Sequence, residues 1–594
     1  MNKKYSFLSI LLFWSLFFCL NGLLSIPAFL VDSQFINPTL AEETTSSLGQ
    51  TISSGNVKIL FRWCGEFLLL FLPLIFLPKR KWLTSTYTSL AAFAYLFLLY
   101  YKCYFFGYKA AYSVHPIFAN DWVIVKEVLP TFLREVSVKG STYLLSIVAF
   151  VGLSTGLVIL LGFQFRQLRQ LQKLPIFWGI GAFLFATTGV SFFENAPIIQ
   201  NEIIDSDQAE KGDSIIQKTY NWVHWTTPDI QKSAHLNRED HLQHLKKRWL
   251  YDFYKTKPLV QKPNIYLIFL ESYGGVASLS DYCAPLYDTL SAHLHETLDS
   301  AGWSVVSNYS KSTVIGGRSW LAMTTAMVGA RIEDQIQYSE LIKKEMGYPH
   351  MVDFFNRQGY ETVRMSNMRI NEIDTLNMLT IPNRFWQFDR RYLFPDIPYR
   401  GYQYDYYGGI PDQFALGYAN DNWLTNPEQP YFFTSITMNS HGPWQSRMPP
   451  IVEDYHTLNT LENPFGGETT EADMTIKKYW TAVDYQLRMI ADFVLKKGKD
   501  NSVYIFMGDH NPGGLEYKLY KRFNKWATPI HIISRDSNFT QSFIQHGFTE
   551  GIKVDTSQFT IMRHMGLYSL LTRQLLENYG EKEELLPDYL PWGL

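Results

Sequence analysis

The feature that most constrains this fold is a series of long apolar segments in the first third of the chain. A membrane-spanning helix needs about 20 mainly apolar residues, because a bilayer core offers no water to the backbone. We therefore predict an N-terminal five-helix transmembrane bundle over residues 1–194. The five segments that meet the requirement, to differing degrees, are residues 6–30, 58–78, 84–106, 142–163 and 175–194.

Two of these segments have alternative interpretations. The first could be a signal peptide, but its apolar run is long and residues 39–41 form only a weak cleavage site, so we interpret it as an uncleaved helix. In the second, Lys58, Arg62 and Glu66 share one helix face. They indicate either an interfacial turn with outward-reaching cations or a polar cavity in which Glu66 meets a lipid headgroup.

Basic residues in the short loops predict the orientation of the bundle. With five alternating spans, three basic clusters fall on one side, which should be the cytoplasm. The opposite side carries fewer cations, all of them in one longer loop. The sequence thus predicts a multi-pass plasma (inner) membrane protein with a cytoplasmic N-terminus and an extracytoplasmic C-terminal domain. The three clusters are Lys3 with Lys4, Lys79 with Arg80 and Lys81, and Arg166 with Arg169 and Lys173.

The remaining two thirds of the chain have the composition of a soluble globular protein. The net charge is −2 and no basic run stands out, which gives no reason to expect a nucleic-acid partner. Only Cys283 lies in this part, so an internal disulfide scaffold and a multi-cysteine zinc site are both excluded there. Residues 195–260 are polar and irregular, and we predict a linker with an interfacial helix at about 236–254.

Residues 261–594 alternate short apolar strands with helical stretches, which predicts an α/β domain with a mostly parallel central sheet flanked by helices. The runs Asn264–Leu270 and Ser502–Met507 are apolar throughout, as in strands buried on both faces. Between them, residues 476–497 have the apolar periodicity of an amphipathic helix that ends before Gly498.

Polar side chains follow three of the predicted strands. Glu271 follows the first, Asp509 and His510 follow the late one, and His441 follows a third strand that begins at Tyr431. Taken singly, each is an ordinary solvated, capping or turn residue. Because ligands gather beyond the carboxyl ends of the strands in such sheets, their shared placement predicts a site. Carboxylate and imidazole suit Zn²⁺ or Mn²⁺.

A fourth element pairs a glycine turn with a predicted helix start. Gly316 and Gly317 permit a tight turn, and Ser319 opens the helix. Ser319 is either a plain N-cap or a hydroxyl nucleophile placed where helix N–H groups stabilise an anion. Arg318 is either a surface arginine or a partner for a phosphate.

These four elements, in this order, resemble the alkaline phosphatase/sulfatase superfamily. They are most similar to its membrane-bound group of lipoteichoic acid synthases, phosphoglycerol transferases and phosphoethanolamine transferases. That group combines five transmembrane helices with an external catalytic domain. The resemblance implies that Glu271, Ser319, Asp509 and His510 bind one divalent metal ion, Mn²⁺ or Zn²⁺, with Mg²⁺ as a further option.

The same resemblance implies a reaction. Ser319 would be the nucleophile, His441 would bind the substrate phosphate or protonate the leaving group, and Arg318 would bind the substrate. A phosphoglycerol- or phosphoethanolamine-type headgroup would move from a membrane phospholipid to an envelope glycan or lipid through a covalent serine intermediate. The family usually has threonine as the nucleophile, so Thr313 is a second candidate. The missing disulfides favour the lipoteichoic-acid-synthase-like branch.

Two other functions stay open from the sequence. One is a sulfatase-like hydrolase of phosphate or sulfate esters, although neither Cys283 nor Ser319 begins the signature that formylglycine formation requires. The other is a non-catalytic membrane scaffold. Substrate selectivity is expected in residues 350–425, where Asn367, Arg369 and Asp412 are candidates.

Overall fold

The computed structural model divides the chain into two compact units, which we call the helical unit and the α/β unit. The helical unit comprises Met1–Ala110, His115–Phe118 and Val128–Ser233, and the α/β unit comprises Ala111–Val114, Ala119–Glu127 and Ala234–Leu594. The residues that the structure describes are 7–27, 65–78, 80–112, 116, 118, 121–122, 140–193, 247–252, 254, 257–343, 347–368, 384–404, 409–444, 447–460, 475–513, 515, 525–554, 561–582 and 586–594.

Each of the five apolar segments contains a helix within the described residues. By length and apolar composition, Lys81–Tyr108 and Ile147–Leu171 could each cross a membrane, and the other apolar helices described in this unit are shorter. Lys58, Arg62 and the side chain of Glu66 lie outside the described residues. The helices are α1 (Phe7–Leu23), α2 (Gly65–Phe76), α3 (Lys81–Tyr112), α4 (Gly140–Leu171) and α5 (Pro175–Phe193).

Aromatic side chains form the core of the helical unit. Phe17 of α1 lies 5.0 Å from Phe71 of α2, and Phe71 lies 4.9 Å from Phe165 of α4, measured between ring centroids. By contrast, the outer side of α4 exposes Leu145 and Leu153 at 68% and 69%. A contiguous apolar surface of this kind is unusual on a protein that meets only water.

Within the described residues, the α/β unit is built on a nine-stranded sheet. Its strand order is β4-β3-β5-β1-β6-β7-β2-β8, and β9 pairs with β2. The strands are β1 (Asn264–Leu270), β2 (Ser304–Lys311), β3 (Glu361–Met365), β4 (Arg390–Tyr392), β5 (Tyr431–Ile436), β6 (Ser502–Gly508), β7 (Ala527–Ser534), β8 (Thr549–Glu550) and β9 (Met562–Arg563).

The sheet is mixed, whereas the sequence predicted a mostly parallel one. The run from β4 to β6 is parallel throughout, but β7 runs antiparallel to β6 and β2 runs antiparallel to β7. Apolar runs predict that strands are buried on both faces but carry no information about direction, which depends on the connections between strands. The parallel half contains the predicted strand ends with their polar side chains.

Helices cover both faces of the sheet, as the alternating side chains of β1 require. Ile265, Leu267 and Phe269 point to one apolar core, and Tyr266 and Ile268 point to the other. The helices are α6 (Val276–Leu279), α7 (Ala284–Ser300), α8 (Ser319–Val328), α9 (Gln335–Lys343), α10 (Met351–Arg357), α11 (Asp412–Asn422), α12 (Ile476–Lys497), α13 (Ser537–Gln541) and α14 (Leu567–Tyr579).

The amphipathic helix predicted at 476–497 is α12, and its bounds agree. Its N-cap, Thr475, accepts a hydrogen bond from the backbone N–H of Lys478. The interfacial helix predicted at about 236–254 lies largely outside the described residues, and residues 247–252 form a 3-10 turn.

Candidate metal centre and active site

Predicted site residues follow the carboxyl ends of adjacent parallel strands and lie at the same edge of the sheet. In β1, Leu270 pairs with Gly508 of β6, and Phe269 pairs with Ile436 of β5. The next residues along the three strands are Glu271, Asp509 and Thr437. Parallel pairing therefore delivers both carboxylates to the same edge of the sheet.

Glu271, Asp509 and His510 form a buried cluster suited to a cation. One ligand atom from each lies within 4.8 Å of the others. Nε2 of His510 lies 3.3 Å from Oδ2 of Asp509 and 3.6 Å from Oε1 of Glu271. All three residues are at most 2% exposed. Two carboxylates this close in a buried site need a compensating positive charge.

The hydrogen bonds around the cluster leave two ligand atoms available, one oxygen of Asp509 and one nitrogen of His510. Oδ1 of Asp509 accepts from the backbone N–H groups of Ser272 and His510, at 2.8 and 2.7 Å. Its Oδ2 is buried and accepts no hydrogen bond. Nδ1 of His510 donates to the carbonyl of Asn511 at 3.0 Å, which leaves Nε2 as the lone-pair nitrogen. An orphaned carboxylate oxygen beside a lone-pair imidazole nitrogen fits a divalent metal.

Ser319 joins this cluster at the start of α8. Its Oγ donates to Oε2 of Glu271 at 2.9 Å and lies 3.2 Å from Nε2 of His510. Thr313, the second candidate nucleophile, instead donates to the carbonyl of Ile332 at 3.0 Å. The structure thus brings the Ser319 hydroxyl, and not that of Thr313, against the proposed metal ligands.

Electrostatics in the cluster reflect the crowding of charges. Burial would raise the pKa of Glu271, but His441, His510 and the hydrogen bonds from two serines outweigh it and lower the pKa. Burial, reinforced by the charge on Glu271, raises the pKa of Asp509 well above its ordinary value. Burial lowers the pKa of His510, which favours the neutral imidazole that a metal binds.

The remaining predicted residues, Arg318 and His441, are half-buried at the edge of the cluster. Arg318 precedes α8 with a left-handed backbone (φ 65°), and its charge contributes to lowering the pKa of His510. Nδ1 of His441 donates to the carbonyl of Gly442 at 2.6 Å, so Nε2 is the ring nitrogen that can exchange a proton with a substrate.

Three buried polar residues that the sequence analysis did not identify as site residues support the site. Thr437 and Ser440 contact the backbone of Glu271, and Gln486 of α12 donates to both hydroxyls. The signal for Gln486 was present: it occupies a core position of an amphipathic helix, between Val483 and Ile490. A lone polar residue on an apolar face has to find buried partners.

Asn367 and Asp412, which the sequence suggested for substrate selectivity, are buried and bonded to each other at 2.8 Å. Asp412 also accepts from the backbone N–H groups of Met438 and Asn439. In this arrangement both side chains hold the segment that leads to His441. Arg369 lies outside the described residues.

Comparisons with known proteins concern the domain that contains these residues. Residues 263–533 match the Sulfatase family model, a range that includes every predicted site residue. Residues 263–533 therefore form a domain of the Sulfatase family, which marks the chain as an enzyme. A search of curated protein sequences finds no match.

Three solved structures illustrate the fold. Lipooligosaccharide phosphoethanolamine transferase A, an integral membrane protein from Neisseria meningitidis, is 13% identical, with a TM-score of 0.42 over 94% of this chain and 95% of its own. The lipoteichoic acid synthase LtaP from Listeria monocytogenes is 13% identical, with a TM-score of 0.34 over 58% of this chain and 80% of its own. The phosphoglycerol transferase GacH from Streptococcus pyogenes is 16% identical, with a TM-score of 0.35 over 59% and 88%. At these values the likenesses assign no activity to this chain.

Proposed function

We propose that this protein is a metal-dependent membrane transferase. It moves a phospho-headgroup of the phosphoglycerol or phosphoethanolamine type from a phospholipid to an envelope glycan or lipid. The observation that carries the proposal is the Ser319 hydroxyl, which lies against both Glu271 and His510 at a helix start. Ser319 is not the N-cap of α8, because Arg318 occupies that position and Ser319 is the first residue of the helix.

Glu271, Asp509, His510 and Ser319 are the residues that would hold one divalent metal ion. When bound, the ion would lower the pKa of the serine hydroxyl and neutralise charge on the phosphoryl oxygens. The donor set of carboxylates, one imidazole and one hydroxyl suits Mn²⁺ or Zn²⁺.

In the first displacement, Oγ of Ser319 attacks phosphorus of the phospholipid headgroup. The hydroxyl proton of Ser319 is released to solvent, and the O–P bond to Ser319 forms as the bond to the diacylglycerol oxygen breaks. Arg318 can pair with the non-bridging oxygens of the phosphoryl group. The leaving oxygen takes a proton, and Nε2 of His441 is the group at the site edge that can supply it.

In the second displacement, an acceptor hydroxyl of an envelope glycan or lipid attacks the phosphorus carried by Ser319. His441, now neutral, accepts the proton of that hydroxyl. The new ester bond forms as the bond to Ser319 breaks, and the serine oxygen takes a proton back from solvent. The two steps restore the enzyme and leave the headgroup on the acceptor.

The helical unit supports the membrane part of the proposal. Its outward apolar side chains on α4 and the two long apolar helices suit a protein embedded in lipid, where a phospholipid donor is available. Because of the distribution of basic residues, we expect the α/β domain of residues 261–594 to lie outside the cytoplasm, with five spans across residues 1–194 and a linker at 195–260.

A hydrolase that uses water as the acceptor is the second candidate, favoured by the sulfatase description of the matching family. Supplying labelled phospholipid with and without an acceptor separates the two functions. A transferase releases little headgroup without acceptor, whereas a hydrolase releases free headgroup phosphate at the same rate in both reactions.

Intact-protein mass spectrometry after incubation with membrane phospholipid tests the mechanism directly. We expect wild-type protein to gain the mass of one phospho-headgroup on Ser319, and Ser319→Ala to gain none and to lose transfer by about a thousandfold or more. Thr313→Val is the matched control and should keep the adduct. An adduct on Ser319→Ala that disappears in Thr313→Val would overturn the assignment.

A further inference from the structure

A buried network connects α12 to the backbone of the proposed metal ligand Glu271. The N–H of Glu271 donates to Oγ1 of Thr437 at 3.0 Å, and the carbonyl of Glu271 accepts from Oγ of Ser440 at 2.7 Å. The backbone N–H and the backbone carbonyl of Glu271 are therefore both held by side chains from the segment after β5.

Gln486 holds the two hydroxyls together. Its Nε2 donates to Oγ1 of Thr437 at 2.6 Å and to Oγ of Ser440 at 2.7 Å. The amide has two N–H groups and meets two acceptors, so the orientation of this side chain is determined by its partners. All three side chains are at most 2% exposed, so water does not compete for these bonds.

The cost of this arrangement suggests that it has a purpose. Oε1 of Gln486 is buried and accepts no hydrogen bond, which costs free energy that an apolar side chain at this core position would not incur. Neighbouring core positions of α12, Val483 and Ile490, are apolar. A glutamine at this position is explained if its two hydrogen bonds contribute more than the unsatisfied oxygen costs.

We propose that Gln486 is a positioning residue for the metal centre. It does not reach the reacting atoms. It fixes Thr437 and Ser440, these fix the peptide groups on both sides of Glu271, and the Glu271 carboxylate is thereby held at the distance from His510 that a metal needs. Because Ser440 precedes His441, the same amide also constrains the segment that carries the proposed general acid. This inference rests on the proposed metal site.

The test is Mn²⁺ affinity, measured by the electron paramagnetic resonance signal of free Mn²⁺ on chelator-stripped, full-length protein in detergent. We expect Gln486→Met, which keeps the length of the side chain, to weaken Mn²⁺ binding by about tenfold to a hundredfold, as loss of outer support for metal ligands does. Ser440→Ala removes the two hydrogen bonds of Oγ, to Glu271 and from Gln486, and little volume. It should weaken binding in the same direction and provides the test if Gln486→Met does not fold.

Gln574→Met is the matched control, because Gln574 is a fully buried glutamine of α14 whose amide bonds to His546 and Glu577 instead. It should keep Mn²⁺ affinity within about twofold, whatever its effect on the thermal unfolding midpoint. Equal Mn²⁺ affinity in wild type, Gln486→Met and Ser440→Ala would overturn the role of Gln486 alone. A wild-type protein that binds no Mn²⁺ would overturn the metal site itself and this role with it.

Discussion

Position 508 has no room for a side chain, because the carbonyl oxygen of Tyr273 occupies the place of a Cβ atom. A Cβ on Gly508 would collide with this oxygen and would also lie 3.0 Å from Cβ of Thr528. Gly508 therefore allows β6 to end close against the turn that carries Glu271. This close approach is what places Asp509 opposite Glu271, so the glycine of the Gly508-Asp509-His510 motif serves the site through packing.

We expect Gly508→Ala to separate these two chain segments. Overpacking of this kind costs about 1–3 kcal/mol of folding free energy, and the displaced Asp509 should bind metal more weakly. Thermal unfolding and Mn²⁺ titration of the purified protein measure the two effects. The control is Gly152→Ala in α4, where an added Cβ would meet no atom within 4 Å. Metal binding that survives Gly508→Ala unchanged would contradict this account of the motif.

A substitution of Asp509 should affect metal binding while lowering the stability of the fold little or not at all. Asp509→Asn keeps the shape of the side chain and one acceptor oxygen for the N–H groups of Ser272 and His510. It removes the charge that a cation needs. We expect stoichiometric metal, measured by elemental analysis of the purified protein, to be lost while the unfolding midpoint falls little or rises, because a buried and uncompensated charge has been removed.

At the scale of the elements, the sequence predicted the pieces of the site better than the sheet that joins them. Continuous apolar runs identified β1 and β6. The repeat of apolar residues every 3.6 positions identified α12 with its bounds. The direction of β7 and β2 was not predictable, because buried strands have the same pattern in either orientation. Gln486 was missed for a related reason: periodicity shows which side chains are buried, but not which buried groups bond to each other.

Two histidines in the sheet region predict how stability depends on pH. Burial lowers the pKa of His531 and of His564 to about 3. In the folded protein both imidazoles remain neutral down to that pH, whereas in the unfolded chain they take up protons near pH 6.5. Their contribution to stability is therefore complete above pH 6.5 and is lost as the pH falls from 6.5 towards 3, by about 2 kcal/mol per histidine at pH 5.

The unfolding midpoint as a function of pH, compared between wild type and His531→Asn, measures this contribution. His531 hydrogen-bonds Ser307 and Tyr273, so the variant should be less stable at pH 8. Its midpoint should nevertheless fall less steeply between pH 6.5 and pH 4, because one buried neutral imidazole has been removed. Parallel curves for the two proteins would show that His531 does not contribute to acid sensitivity.

At the scale of the whole molecule, the two units bury their apolar side chains differently. The α/β unit has two buried apolar cores, one on each face of its sheet. The helical unit has an aromatic core and also presents large apolar side chains outward. The transferase that we propose would take its donor from a bilayer and its acceptor from the envelope, which would be a physical reason for combining the two units in one chain.

The orientation of the chain gives the last prediction, which membrane-impermeant maleimide labelling of intact cells can test. In a background without the native cysteines, Glu453→Cys should be labelled from outside, since this side chain is 92% exposed on the α/β unit. Lys173→Cys, in the turn between α4 and α5, should be labelled only after the cells are permeabilised, because Lys173 and the basic residues at the end of α4 favour the cytoplasm. Labelling of position 173 in intact cells with protection of position 453 would reverse the proposed topology and place the Ser319 site inside the cell, away from any envelope acceptor.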